Sequence, residues 1–399
     1  MRIVDVCPFY TPSGGGVRTY LEQKLKAAPA LGHEMILLAP GAEHSITEIR
    51  PGAIIATIPA PTMPLDRRYH YFEDIPALHQ ALDEWRPDHI EASSPWSSAT
   101  AVARWQGSAS RSLVMHADPM ASYAYRWFGR VASVATIDRW FGRFWGHLRG
   151  LDSMFDVVVT ANDRLTNRLR EGGLLSVETI RMGVQPATFS PKLRDEQLRA
   201  AHLASLGLPD SATLLLGLGR MSAEKRWPMV VKAARQVARD RPVGLILAGN
   251  GPGRAKIERA AAGAPHVRVI DPIIDRHMLA TMLASADGLV HGCESETFCM
   301  VAAEARASGV PLIVPDQGGA ADLLVPGAGR HYQSAQPESL TAAINDFLDR
   351  GTLPMRQLAA TAALGGATMT DHFTALFARY DILQGAVELS QDLLSALSF

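Results

Sequence analysis

Short apolar runs alternate with longer amphipathic stretches along nearly the whole chain. That alternation confines it to an α/β architecture built on parallel strands. In the first half, Ile3–Cys7, Met35–Ala39, His89–Ala92, Ser112–His116 and Val157–Thr160 read as buried strands. In the second half the corresponding runs are Thr213–Leu218, Gly244–Ala248, His266–Ile270, Gly288–His291 and Leu312–Val314. Between the two sets lies Arg181–Pro191, rich in Gly and Pro and followed by a charged stretch, which reads as a linker. At 399 residues the chain has the length for two or three domains, each with its own core.

Hydrophobic residues make up 47% and charged residues 20%, the balance of a soluble globular protein. A formal net charge of −1 excludes a chain built to coat nucleic acid, and no nucleic-acid partner is expected. Cys7, Cys293 and Cys299 are odd in number and lack metal-type spacing, which points to a reducing compartment. Met1 leads directly into a strand-like run with neither a basic n-region nor a cleavage site. No apolar run approaches the ~20 residues a bilayer span needs. The expected location is therefore cytoplasmic, with any membrane contact peripheral.

Three segments carry chemistry. In Glu296-Thr-Phe-Cys-Met-Val-Ala-Ala-Glu304 two carboxylates stand eight positions apart. On one continuous helix, at ~100° per residue, they subtend roughly 80° and share a side, ready to accept hydrogen bonds from a polyhydroxylated ligand. Gly309 would then close the helix ahead of a buried strand. Gly219-Arg220-Met-Ser-Ala-Glu-Lys225 follows a buried strand, where α/β folds place ligands, and its two cations suit a diphosphate leaving group. Pro12-Ser-Gly-Gly-Gly-Val-Arg18 opens a helix after the first strand, so its backbone N–H groups can approach phosphate closely. No Asp-x-Asp occurs anywhere, so no metal ligands and no bound cofactor are expected.

With the flanking Ala-Ser-Gly-Val-Pro311, these segments closely resemble the retaining glycosyltransferases of family 4, which have the GT-B architecture of two Rossmann-like domains facing each other across a cleft. The resemblance runs along nearly the whole chain. It implies an N-terminal acceptor domain over residues 1–185, completed by a C-terminal helix at about 370–399, and a nucleotide-sugar domain over 190–368. It also implies transfer of a hexose from a UDP- or GDP-sugar to a hydroxyl acceptor, a glycolipid, lipid or polysaccharide precursor. Arg220 and Lys225 inherit the grip on the donor diphosphate, Glu296 the donor sugar, and Glu304 the nucleotide ribose. Thr297, Phe298, Cys299, Met300 and Val301 line the donor site beside them, and Gly15 and Gly16 face the donor phosphates. His116, ending a strand, touches the donor sugar and stabilises the reacting centre, so the implied catalytic set is His116, Arg220, Lys225 and Glu296. Ile273 and Asp275 sit where relatives contact the base, and Gly249–Gly253 shapes the pocket floor. Cys299 departs from the family's glycine. No paired base adjoins it in the sequence, so it is not expected to act as a nucleophile, and His291 reads as packing or functional alike.

Arg139-Trp-Phe-Gly-Arg-Phe-Trp-Gly-His-Leu-Arg149 reads as one amphipathic helix, with Trp140, Phe141, Phe144, Trp145 and Leu148 on one face and basic residues on the other. Either the aromatic face packs on the first domain or the segment meets an anionic membrane surface. Two alternatives to transfer stand beside the main reading: nucleotide-sugar epimerisation on the same fold, and nucleotide-sugar binding without catalysis.

Overall fold

The computed structural model describes residues 1–397 except Ser13, Leu65, Asp66, Arg130 and Pro186, with backbone alone for 392–397. The chain divides into two compact units. The first comprises Met1–Asp118, Trp127–Met182 and the residues from Met369 onward; the second comprises Pro119–Arg126 and Gly183–Thr368.

The first unit is organised on β1 (Arg2–Val6), β2 (Glu34–Gly41), β3 (Ser45–Arg50), β4 (Ala53–Pro59), β5 (His89–Ser93), β6 (Ser110–Val114), β7 (Val157–Thr160) and β8 (Val177–Thr179). They form one sheet in the order β3-β4-β2-β1-β5-β6-β7-β8, parallel throughout apart from the β3–β4 hairpin. Val4 of β1 registers with Ile36 of β2 on one side and Ile90 of β5 on the other. Strand order thus reverses at β1, the switch point at which such sheets hold ligands.

The second unit carries β9 (Thr213–Leu218), β10 (Val243–Ala248), β11 (Val267–Ile270), β12 (Gly288–Val290), β13 (Leu312–Pro315) and β14 (Gly329–Tyr332). Its sheet is entirely parallel in the order β11-β10-β9-β12-β13-β14, so its switch point lies between β9 and β12. Almost every residue of β9 and β10 is buried, as strands covered on both faces must be.

The last helix, Met369–Leu397, belongs to the first unit. Phe373, Leu376, Phe377 and Tyr380 recur at helical spacing and are buried with Ile3, Leu21, Leu25 and Met35. Full burial of side chains this size stabilises by about 1.5–3 kcal/mol each. Tyr380 also donates its hydroxyl to Glu91 at 2.7 Å, beside Lys24, which is ion-paired with both Asp5 and Glu91 and wholly buried.

Two sequence expectations fail here. Arg139–Arg149 is not one helix: Val134–Trp140 ends at Phe141, and a second helix runs Gly142–Asp152. Gly142, a poor helix former, sits at the break, and the aromatic residues part company. Trp145 and Leu148 enter the core, where Trp145 donates to Asp138 at 3.1 Å and packs over Gly172, whose missing Cβ leaves it room. Trp140 stays 58% exposed. Likewise Glu296 and Glu304 do not share a helix. That helix is Met300–Ala307, and Cys299 just ahead of it has φ +67°, a left-handed conformation that stops the helix from extending back to Glu296.

Candidate functional site

In the second unit the chemistry-bearing residues gather at the C-terminal ends of β9 and β12, the neighbouring strands that flank its switch point. After β9 the chain turns at Gly219, whose φ of 143° suits glycine alone, and enters Arg220 and a short 3-10 turn, Ala223–Lys225. Trp227, buried beneath, donates its indole N–H to the Arg220 carbonyl at 3.1 Å. The Gly249–Gly253 turn after β10 braces the same loop from the other side. Met221 N–H donates to the Asn250 carbonyl at 2.8 Å, and Gly253 N–H to the Met221 carbonyl at 2.7 Å. A Cβ on Gly249 would stand 2.0 Å from the Gly219 carbonyl oxygen. The glycines therefore position the cationic loop rather than merely floor a pocket.

After β12 the chain runs through His291 and an extended loop to Cys299. Gly318 and Gly319 press against this loop: Gly319 N–H donates to the Glu296 carbonyl at 2.7 Å, and a Cβ on Gly318 would meet the Glu294 carbonyl at 2.2 Å. Across from it, Lys225 is ion-paired with Glu296 and Arg226 with Glu294. Arg220 reaches Glu224 at 3.5 Å and is half-exposed. Four residues separate Arg220 from Lys225, and the fold brings both to the same strand end as Glu296. Thr297 is buried in this loop, and Met300 and Val301, partly buried, open the helix that follows.

Glu304 is not an exposed carboxylate. It is buried in the Met300–Ala307 helix, where Arg276 donates to it at 2.9 Å. Burial pushes its carboxyl above the usual range, and the Arg276 guanidinium opposes that shift. Arg276 also lies 4.9 Å over the ring of Phe189. Asp275 caps the Arg276–Ser285 helix, accepting from Met278 N–H at 2.7 Å, and Ile273 stands partly buried just before it. Arg276, Arg226, Glu294, Gly318 and Gly319 are members of this arrangement that the sequence reading omits. Their partners are distant in sequence, and the one local signal is a cation directly after Asp275.

Cys299 does have a base beside it, contrary to the sequence reading: its Sγ lies 3.6 Å from His291 Nε2. The same Nε2 is 3.6 Å from Glu296 Oε1. Burial nonetheless pushes the Cys299 thiol up to about 11, with Lys225 pulling the other way, so it stays protonated and remains a poor nucleophile. Burial, reinforced by the Lys225 charge, holds His291 well below its ordinary value, hence neutral. Among the described residues, His291, Glu296 and Cys299 are the one set whose donor atoms converge closely enough to hold a metal ion.

In the first unit, Gly15 is the N-cap of the Gly16–Ala30 helix and supplies no side-chain cap. His116 follows β6. Ser93 donates to Asp5 at 2.9 Å, and its oxygen lies 3.0 Å from His116 Nε2. Tyr20 packs edge-on against the imidazole at 5.0 Å. Desolvation pushes His116 down to about 4, Asp5 opposing and Lys24 adding, so the ring is neutral at pH 7. Asp118 is ion-paired with Arg168.

Comparisons with known proteins show what the chain as a whole resembles. The family model described as Glycosyltransferase Family 4 matches residues 14–188, and the one described as Glycosyl transferases group 1 matches residues 199–363. Together they leave only the termini and a short linker unmatched. A GDP-mannose-dependent alpha-(1-6)-phosphatidylinositol dimannoside mannosyltransferase of Mycobacterium tuberculosis is 29% identical over 88% of each chain. A GDP-mannose-dependent alpha-mannosyltransferase of Corynebacterium glutamicum is 27% identical over 81% of this chain and 74% of its own. Among solved structures, sucrose-phosphate synthase from Thermosynechococcus elongatus superposes with a TM-score of 0.71 at 20% identity, covering 99% of both chains. WaaG, a glycosyltransferase involved in lipopolysaccharide biosynthesis, gives 0.69 at 15% identity over 96% of this chain and 100% of that one. These structural likenesses establish the GT-B fold.

Proposed function

The chain belongs to the group 1, family 4 glycosyltransferases, and on that premise we propose that it moves mannose from GDP-mannose to a hydroxyl of a lipid-linked acceptor, with retention at the anomeric carbon and without a catalytic metal. The observation that carries the proposal is the loop pair at the second unit's switch point, where Lys225 is ion-paired with Glu296 and Arg220 opens the same glycine-fitted loop. Arg220 and Lys225 meet the charge that builds on the departing diphosphate, which is the role a metal would otherwise fill. Lys225, paired with Glu296 in the free protein, exchanges that partner for phosphate when donor binds and leaves Glu296 to accept from sugar hydroxyls. Glu304, oriented by Arg276, takes the ribose. Neutral His116, its Nε2–H committed to the Ser93 oxygen, adds no positive charge beside a developing oxocarbenium. Cys299, held protonated by burial, is a poor glycosyl nucleophile, and the reading is same-face attack by the acceptor, with the leaving phosphate taking its proton.

GDP-mannose is chosen because relatives aligned over four fifths or more of this chain carry that donor in their names. A lipid-linked acceptor fits the exposed rings of Trp127 and Trp140, joined through Phe128, with the exposed Arg139 and Arg143 alongside. Such a mixture suits an anionic lipid surface. No helix of the described residues is long and apolar enough to cross a membrane, so contact would be peripheral. The test is a screen of radiolabelled GDP- and UDP-sugars with phosphatidylinositol mannosides and soluble glycosides as acceptors. Labelled glycolipid from GDP-mannose is the expected result. An epimerised donor, or donor bound without turnover, would replace the proposal with the corresponding alternative.

A further inference from the structure

Cys299 is what this chain adds to its donor site, standing where the family it resembles has glycine. Its Sγ is 3.6 Å from His291 Nε2, which is itself 3.6 Å from Glu296 Oε1, and the three donor atoms all lie within 4.8 Å of one another. Tetrahedral Zn²⁺ holds sulfur at ~2.3 Å and nitrogen or oxygen at ~2.0–2.2 Å, so two of its ligands stand roughly 3.3–3.6 Å apart. The spacing around His291 Nε2 already matches. We infer that His291 Nε2, Cys299 Sγ and the Glu296 carboxylate form a binding site for a thiophilic divalent cation, Zn²⁺ foremost, and that its occupancy blocks the donor-sugar pocket.

Several independent features support a built site. His291 is 1% exposed, and its ring is fixed by Trp227, edge-on at 6.2 Å, while Tyr332 donates to its backbone carbonyl at 2.9 Å. Cys299 stands in a left-handed conformation between the loop and the helix, and this backbone sets the direction of its Cα–Cβ bond. One sulfur, one imidazole and one carboxylate select zinc-like ions over Mg²⁺ or Ca²⁺, which demand oxygen. Three protein ligands leave a fourth position for water or a phosphate oxygen.

Binding exchanges one bond for another. Zn²⁺ replaces the thiol proton, which leaves to solvent, and it takes from Lys225 the carboxylate with which that ammonium is now paired. Glu296 and Lys225 are then both withdrawn from the donor. Site formation rests on geometry alone, whereas the inhibitory consequence rests on the donor-site reading above.

Co²⁺ is the probe, added to the full-length, tag-free protein. One equivalent should produce a near-ultraviolet thiolate-to-Co²⁺ charge-transfer band that Zn²⁺ bleaches. Cys299→Gly, which suits the left-handed backbone and so preserves folding, should abolish it; Cys293→Ala should keep it, and His291→Gln should weaken it. Absence of the band in the unmodified protein, or its survival in Cys299→Gly, overturns the site. In a parallel transfer assay, Zn²⁺ at ten times its Kd should leave about a tenth of the activity, restored by chelator. A bleachable Co²⁺ band with transfer indifferent to Zn²⁺ would keep the site but refute its overlap with the donor pocket.

Discussion

Removing Arg276 strands a carboxylate that the fold has already taken out of water. Glu304 has a side chain only 6% exposed, and Arg276, at 2.9 Å, is the cation ion-paired with it among the described residues. Breaking a buried pair by deleting one partner costs ~3–5 kcal/mol. Arg276 itself is 38% exposed, so water already screens part of the attraction, and the expectation for Arg276→Ala falls to about 1.5–3 kcal/mol. The loss should depend on pH. Glu304 titrates above its unfolded value in the native state, and more so without Arg276. A raised carboxyl gives stability that is present below the unfolded value and lost as pH rises through the folded one. The variant's deficit should therefore be largest at pH 7–8 and shrink toward the ordinary glutamate value near 4.5. Adding Glu304→Gln should restore more than half of the loss, because no buried charge remains. Urea unfolding of the two single variants and the double variant, at pH 5 and pH 7.5, measures all of this. An Arg276→Ala deficit that is the same at both pH values and untouched by Glu304→Gln would refute the argument.

The other predictions concern the site and the core. Arg220→Ala and Lys225→Ala should each lower kcat by ~10²–10³ with the fold intact, and near-normal turnover at saturating donor would dismiss their role at the diphosphate. Glu304→Gln should weaken free GDP binding by ~1.5–3 kcal/mol, while Glu296→Gln depresses transfer and spares GDP; calorimetry showing equal losses would remove that division. Buried His89, His116, His291 and His372 are all held below their ordinary value by desolvation, with His116 and His372 at about 4. Each gives stability that is present above pH ~6.5 and lost as pH falls toward its folded value. Glu91, raised to about 7 by burial and Asp5, and Glu304 run the other way. The four buried imidazoles outnumber the two raised carboxylates, so stability should fall as pH drops from 7 to 5. Denaturation midpoints flat from pH 7 to 5 would contradict it.

How much of this was legible depends on how far apart in sequence the signal lies. Ten strands stand at or within two residues of their apolar runs, because buried parallel strands carry their signal locally. Three of the four unread strands, β3, β8 and β14, are sheet edges with little apolar surface to declare them, as Ser-Ile-Thr-Glu-Ile-Arg and Gly-Arg-His-Tyr illustrate. The fourth, β4, is an ordinary apolar run whose signal is present, and it pairs with β3 as a hairpin. Arg220, Lys225, Glu296 and Glu304 were readable because each sits just beyond a recognisable strand or inside a dense motif. Arg276 beside Glu304 and His291 beside Cys299 were not, since only the fold brings them together. The helix expected to carry both glutamates failed on one backbone angle, the positive φ of Cys299, which no residue pattern announces.

The central claim is retaining, metal-independent sugar transfer from a nucleotide-linked donor. It is tested most directly by the anomeric one-bond carbon–proton coupling of the glycolipid formed from ¹³C-labelled GDP-α-mannose in the presence of excess EDTA. The account predicts an α-mannoside, made at an undiminished rate. A β-linked product, or a reaction that stops in EDTA and resumes with Mg²⁺ or Mn²⁺, would contradict it.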